Sequence, residues 1–311
     1  MSADWFIRWA VIAAITVIDV IWMWAKGIGF ATESLAGLLS VAGIFLACCL
    51  ALSVMAQSKT RLSTVLLGTS DFFCSLTQLL LMVPPVITLS YLAASLNLPL
   101  TDGLLLRADA LLGFDWPSVS AWVSSHPMIS DALTFSYTTI LWQPFLIMFL
   151  ASVNTPGSAN TEFSWTFLLS ALIAIGISAI VPALGYEGVI GSPHIDTLRA
   201  IRAGGWTTLD IRKVDGIITF PSFHAAAGVL FLYSVRNIRW ALWALVPLNA
   251  AMILSTPTVG GHYLVDAIAG CLIAWLSIAL VRPLRAWTAR LRFERIAWPL
   301  GTLHPAAGRK G

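Results

Sequence analysis

Apolar stretches about twenty residues long recur through this 311-residue chain, separated by short polar corners. A helix needs about 20 mostly apolar residues to cross the roughly 30 Å hydrocarbon layer of a bilayer, and these stretches are long enough. In hydrocarbon every backbone N–H and C=O must be satisfied within the protein, so only helices and closed barrels span. Runs of this length select the helix. Composition points the same way, with 58% hydrophobic and 11% charged residues, where an ordinary soluble domain carries roughly 25% charged residues. A soluble globular fold is excluded.

The reading that follows is an all-α, polytopic membrane helical bundle of about eight transmembrane helices. Their approximate limits are 5–25, 35–56, 72–94, 130–152, 163–184, 217–235, 240–256 and 262–281. Trp5, Trp9, Trp22, Trp24, Trp240 and Trp243 stand near the ends of these runs, where amphipathic rings settle at the membrane interface. The first run is long and has Asp4 beside it, so it reads as a retained span rather than a cleaved leader. Cys48, Cys49, Cys74 and Cys271 lie inside apolar runs without metal-ligand spacing and read as small buried hydrophobes.

An even number of spans puts both termini on one side. That side then holds twelve of the eighteen Lys and Arg residues, and the other holds Lys26, Arg107, Arg199, Arg202, Arg212 and Lys213. Basic residues concentrate on the cytoplasmic side. The expected setting is therefore a bacterial-type inner (plasma) membrane, with cytoplasmic termini and a periplasmic or outer opposite face. The tail after Arg282 carries Arg285, Arg290, Arg292 and Arg295 around Trp287 and Phe293. It reads as an interfacial helix on anionic lipid, not as a nucleic-acid binder.

Two outer segments are long. Residues 95–129 include an amphipathic piece, Leu104–Leu112, with Arg107 and Asp109 on its polar side, expected to lie along the interface as a lid or prop. Residues 185–216 hold Arg199, Arg202, Arg212 and Lys213. His194, Asp196, Asp210 and Asp215 share that loop and read as local pairing or capping groups.

Two segments carry candidate chemistry, and span counting puts both at the outer face. In Gly260-Gly261-His262-Tyr263-Leu264-Val265-Asp266, residues 262 and 266 share one helix face. A carboxylate there can hold the proton on one imidazole nitrogen and leave the other as a lone pair, as in a catalytic triad. The alternative is a structural His–Asp bond that pins two helices. In Phe220-Pro221-Ser222-Phe223-His224, Pro suits the first turn of a helix, whose free N–H groups favour an anion. Ser222 adds a hydroxyl, and His224 across a cavity from His262 can serve as general acid. A lone packed histidine is the alternative. Arg fits phosphate bidentately, and solvated loop charge is the alternative for at least two of the four basic residues. No third His, second carboxylate or Cys is placed to complete a metal site, so no metal and no other cofactor is expected. A transporter or lipid carrier using the His–Asp pair as a proton relay is the rival class, although such proteins place charge near the midplane and often show two related halves.

With these residues in view, the chain resembles the type 2 phosphatidic acid phosphatase superfamily, and within it the branch containing fungal inositol phosphorylceramide synthase. The superfamily carries a Lys/Arg motif, then Pro-Ser-Gly-His, then Ser-Arg, five residues, His, three residues and Asp. Here Pro221-Ser222-Phe223-His224 stands for the second motif. Ser255-Thr256, five residues, His262, three residues and Asp266 stand for the third. Phe223 replaces the motif Gly and Thr256 the motif Arg, as in the synthase branch, and the Lys-x6-Arg-Pro motif has no faithful copy. The resemblance implies two accessory helices in 1–60, a six-helix phosphatase or phosphotransferase core in 61–285 and a basic cytoplasmic tail in 286–311. It also implies a two-step displacement on a phospholipid or other lipid-phosphate substrate. His262 would attack phosphorus with Asp266 supporting its charge, and His224 would protonate the leaving alcohol. Ser222, Arg199 and Arg202 would hold the phosphate, with Arg212 and Lys213 as runners-up. Water or an alcohol would then discharge the phosphohistidine.

Overall fold

The computed structural model describes residues 3–56, 63–154, 158–186 and 193–290. Twelve α-helices occur among them, of which six are long and apolar enough to cross a bilayer. The chain is a multi-pass helical membrane protein.

Helix α1 (Ala3–Lys26) begins with Asp4 in its first turn and ends with Lys26 in its last, both favourable to the helix dipole. Asp4, Arg8, Ile12, Ile15, Asp19 and Met23 are buried. Their spacing of three or four residues makes one inward stripe, while Val17, Ile18, Val20, Ile21 and Trp24 face outward. Helix α2 (Thr32–Met55) packs chiefly against α3 (Ser63–Ala94). Helix α3 has 32 residues, about 48 Å of helix at 1.5 Å per residue, and also meets α1 and the later core helices.

Two short helices, α4 (Asp102–Leu111) and α5 (Trp116–Ser124), follow. Helices α6 (Pro127–Thr138) and α7 (Gln143–Asn154) occupy the run expected as one span at 130–152, but the pair is bent by 58°. Pro144 in the first turn of α7 lacks the N–H that would extend α6 without a break. At this bend Gln143, Thr139 and Asn249 are fully buried. Gln143 donates to Thr139 Oγ1 at 2.7 Å and accepts from Asn249 at 2.9 Å, the polar glue that membrane helices use where no water competes.

Helix α8 (Ser158–Ile180) crosses next, and α9 (Pro193–Arg202) lies in the following loop. The sixth expected span, 217–235, is corrected. Only α10 (Phe223–Ser234) is helical, 12 residues long and thus about 18 Å, short of the hydrocarbon thickness. Residues 214–222 lead into α10 as chain without α-helix. Backbone of this kind is tolerated at membrane depth only when buried in protein, and Ile217, Thr219 and Ser222 are buried. Helices α11 (Arg239–Thr258) and α12 (Leu264–Arg290) close the bundle, α12 running past the expected end at 281. Of the expected basic tail, residues 291–311 lie outside the described residues.

Close helix contact fixes the start of α10. Ala225, Ala226, Ala227 and Gly228 present almost no side chain, and a Cβ on Gly270 of α12 would collide with the Ser222 carbonyl. Small residues let membrane helices approach this closely.

The bundle has two chemically distinct ends. At one, Trp165 donates to Asp4, and Glu162 takes Tyr233, Arg236 and Arg285. At the other, Lys26 donates to the Ser95 carbonyl. There Gly29–Phe30 also pairs in parallel with Thr208–Leu209, a two-stranded patch tying the first helices to the loop after α9.

Candidate active site

The segment entering α10 and the turn entering α12 meet at this second end. The Phe220–Pro221 peptide is cis. Ser222, not Pro221, caps α10, its hydroxyl accepting from the Ala225 N–H at 3.4 Å. Pro therefore precedes the cap rather than opening the helix. The Ser222 N–H donates to the Asp266 carbonyl at 2.9 Å, which ties the two helix starts together.

The turn before α12 is shaped by the Thr256 carbonyl, which accepts from the Gly260 and His262 N–H groups. Gly261 has φ +67°, a conformation that side chains resist. A methyl on Gly260 would come within 2.8 Å of the Thr256 carbonyl, His262 Cδ2 and the Tyr137 hydroxyl alike. Thr256 thus shapes the turn through its backbone.

His262 and Asp266 are almost completely buried, at 4% and 0% exposure. The Nδ1 of His262 lies 2.8 Å from the Thr219 carbonyl and 3.3 Å from Asp266 Oδ2. A carbonyl only accepts, so Nδ1 carries the proton and Nε2 presents a lone pair. Ser222 Oγ stands 3.4 Å from that Nε2. Asp266 Oδ2 also accepts from the Tyr263 N–H at 2.9 Å, while Oδ1 is buried without a hydrogen bond.

His224 stacks on Tyr137, with ring centroids 3.9 Å apart and planes 10° off parallel. It lies close enough to His262 and to His194 for their charges to interact. His194, in the first turn of α9, binds protons less readily than a free histidine, first because of burial and then because of His262. His194 thus lies within electrostatic reach of both motif histidines. The Phe223 and His224 N–H groups at the start of α10 have no acceptor among the described residues, leaving the positive end of the helix available to an anion.

The basic residues lie differently. Arg202 donates to the Leu98 carbonyl at 2.8 Å, with its other terminal nitrogen buried. Arg199 lies 3.9 Å from Asp196. Arg212 pairs with Asp210 and Glu33, and Lys213 is exposed beside it. Asp210 caps the turn at Ile211–Lys213, and Arg212 holds its carboxyl down at about 2. Among the described residues, no group of three or more His, Cys, Asp or Glu could hold a metal ion.

The helices over the site carry residues that the sequence did not connect with it. Asp109 was expected on the polar side of its helix, yet it is 2% exposed. Its two carboxylate oxygens accept from the Leu264 and Val265 N–H groups at 2.8 and 2.9 Å, capping α12 beside His262. Asp102 accepts from the Leu184 and Gly185 N–H groups and from the Tyr263 hydroxyl. Trp116 stacks on Tyr186 at 3.9 Å and donates to the Pro257 carbonyl, and the Tyr186 N–H donates to Gly261. Helices α4 and α5 thus buttress the turn that carries His262. Tyr137 sits in an apolar run that gives no hint of chemistry. The Thr219 carbonyl, being backbone, leaves no trace in residue identity.

No curated protein and no solved structure matches the chain significantly. A model of the PAP2 superfamily, the type 2 phosphatidic acid phosphatases, matches residues 103–280. That segment begins in α4 and ends in α12, so it holds the two histidines, Asp266 and the buttress above them. With more than half of its length matched, this chain belongs to the PAP2 superfamily.

Proposed function

We propose that this chain is an integral-membrane phosphatase or phosphotransferase that acts on a lipid or isoprenoid phosphate ester through a phosphohistidine on His262. The observation that carries the reading is the His262 tautomer. Thr219 and Asp266 both take the Nδ1 proton, so the Nε2 lone pair faces Ser222 and the start of α10. In the first step that lone pair forms the N–P bond. The P–O bond to the alcohol breaks with its electron pair going to oxygen, and His224 gives that oxygen a proton. Asp266 stabilises the imidazolium formed on His262. In the second step His224 takes a proton from water or an alcohol, whose oxygen displaces His262 from phosphorus.

The Ser222 hydroxyl and the open N–H groups of Phe223 and His224 are the nearest donors for the phosphoryl oxygens. Arg199 and Arg202 are the proposed cationic partners, reached by a shift of α9 toward the ester; Arg202 would exchange the Leu98 carbonyl for phosphate. Phe223 and Thr256, in place of Gly and Arg, resemble the branch containing inositol phosphorylceramide synthase, and either water or an alcohol hydroxyl serves as the acceptor. The charge asymmetry supports cytoplasmic termini in an inner membrane and a site on the outer face. Helices α1 and α2 are proposed as accessories to the core that follows.

The test uses purified full-length protein and a panel of lipid phosphates, scored for free phosphate and for new headgroup products with and without an acceptor alcohol. Turnover is expected in the parent and absent in His262→Ala and His224→Ala variants that still insert. Normal turnover by His262→Ala would end the reading.

A further inference from the structure

The same site holds an aromatic residue to which neither motif assigns a role. Tyr137, near the end of α6, lays its ring on His224 at 3.9 Å and 10°. Its hydroxyl lies on the other side, within 2.8 Å of a point that is also 2.8 Å from His262 Cδ2. One side chain therefore touches the histidine of α10 and borders the histidine entering α12. Helix α6 is held in register by α11, against which it packs closely, and by the buried Thr139–Gln143–Asn249 chain one turn further on. The ring of Tyr137 is thereby fixed by a rigid element.

His224 has no side-chain hydrogen bond among the described residues. His262, by contrast, has two acceptors on Nδ1. The general acid of the proposed reaction thus lacks the polar orientation that the nucleophile enjoys, and the stack is what restricts its ring. A proton donor must lie within about 3 Å of the oxygen it serves, and rotation of an unrestrained imidazole removes it from that range.

We propose that Tyr137 is the positioning residue of the general acid, its ring fixing the plane of His224 so that the leaving oxygen receives the proton. This rests on the reading of His224 as the acid, and the chemistry gives a readout that a merely structural role would not move. As His262 Nε2 bonds to phosphorus and the P–O bond breaks, an alkoxide leaving group needs a proton and a nitrophenolate does not. Loss of the stack therefore penalises alkyl esters selectively.

The experiment compares dioctanoyl phosphatidic acid with p-nitrophenyl phosphate, using the full chain purified in detergent. Because the second step is common to both esters, the comparison uses kcat/KM, which reports the first step alone: Tyr137→Leu is expected to lower it on the lipid about 100-fold, within the range a general acid contributes, and on the nitrophenyl ester by less than about fivefold. Tyr137→Phe keeps the stack and is expected to recover most of the lipid turnover lost in Tyr137→Leu. His224→Ala should show the same leaving-group pattern. Tyr137→Met serves in place of Tyr137→Leu should the latter fail to fold. Equal losses on both esters, or no loss on either, would overturn the proposal while leaving the reading of His224 intact, provided His224→Ala is selective. A uniform loss of kcat/KM in His224→Ala, or a parent that cleaves neither ester, overturns the underlying reading and this inference with it.

Discussion

His262 donates its Nδ1 proton to the Thr219 carbonyl at 2.8 Å, a shorter contact than the 3.3 Å to Asp266 on its own helix face. Backbone from the chain entering α10 thus decides the tautomer of a side chain entering α12. The carboxylate is left chiefly to supply charge.

This division of labour makes Asp266→Asn milder than the corresponding change in a triad where the carboxylate alone orients the ring, which costs about 10⁴-fold in kcat. With Thr219 still holding the proton on Nδ1, a loss of about 100-fold is expected, reflecting the missing charge opposite the imidazolium. Steady-state rates of phosphate release measure it. A loss as large as that of His262→Ala would show that Asp266 sets the tautomer after all.

Asp109→Ala removes both acceptors from the first N–H groups of α12. Loss of a helix cap costs about 1–2 kcal/mol, visible as a lower Tm in detergent. Because the freed turn carries His262, kcat should fall more than stability alone explains, and Asp109→Asn, which keeps one acceptor, should fall between.

Gly270→Ala places a methyl against the Ser222 carbonyl. Helices α10 and α12 must separate, at a cost of about 1–3 kcal/mol for overpacking, and the Ser222–His262 distance must grow. Thermal unfolding and turnover should both suffer, whereas Gly176→Ala, with nothing within 4 Å of its Cβ, should be neutral in both.

Glu162→Gln tests the opposite end. Its carboxylate gathers Tyr233, Arg236 and Arg285, partly exposed pairs worth about 1 kcal/mol in total. A modest fall in Tm is expected with kcat per folded molecule unchanged. A fall in kcat without loss of stability would couple this cluster to the site.

The rough position of the crossing segments was legible in the sequence because hydrocarbon imposes a length requirement on every span, but eight were expected where six helices among the described residues are long and apolar enough to cross. The motif histidines, Ser222 and Asp266 were legible because ionisable and hydroxyl groups interrupt otherwise apolar runs. The same logic failed at 217–222, where an apolar run reads as helix by hydropathy yet is non-helical chain sheltered by protein. It also failed at 130–152, where hydropathy is blind to a bend.

The sequence by itself determined that this chain dissolves in a bilayer and carries a paired-histidine motif of the PAP2 kind, since both follow from local residue type and spacing. Only the tertiary structure decided what surrounds those histidines. The Thr219 carbonyl on Nδ1, the Asp109 cap on α12, the Tyr137 ring on His224 and the approach of His194 all join residues far apart in the chain. Contacts of that kind depend on how helices pack, a property of the whole bundle that no local pattern encodes.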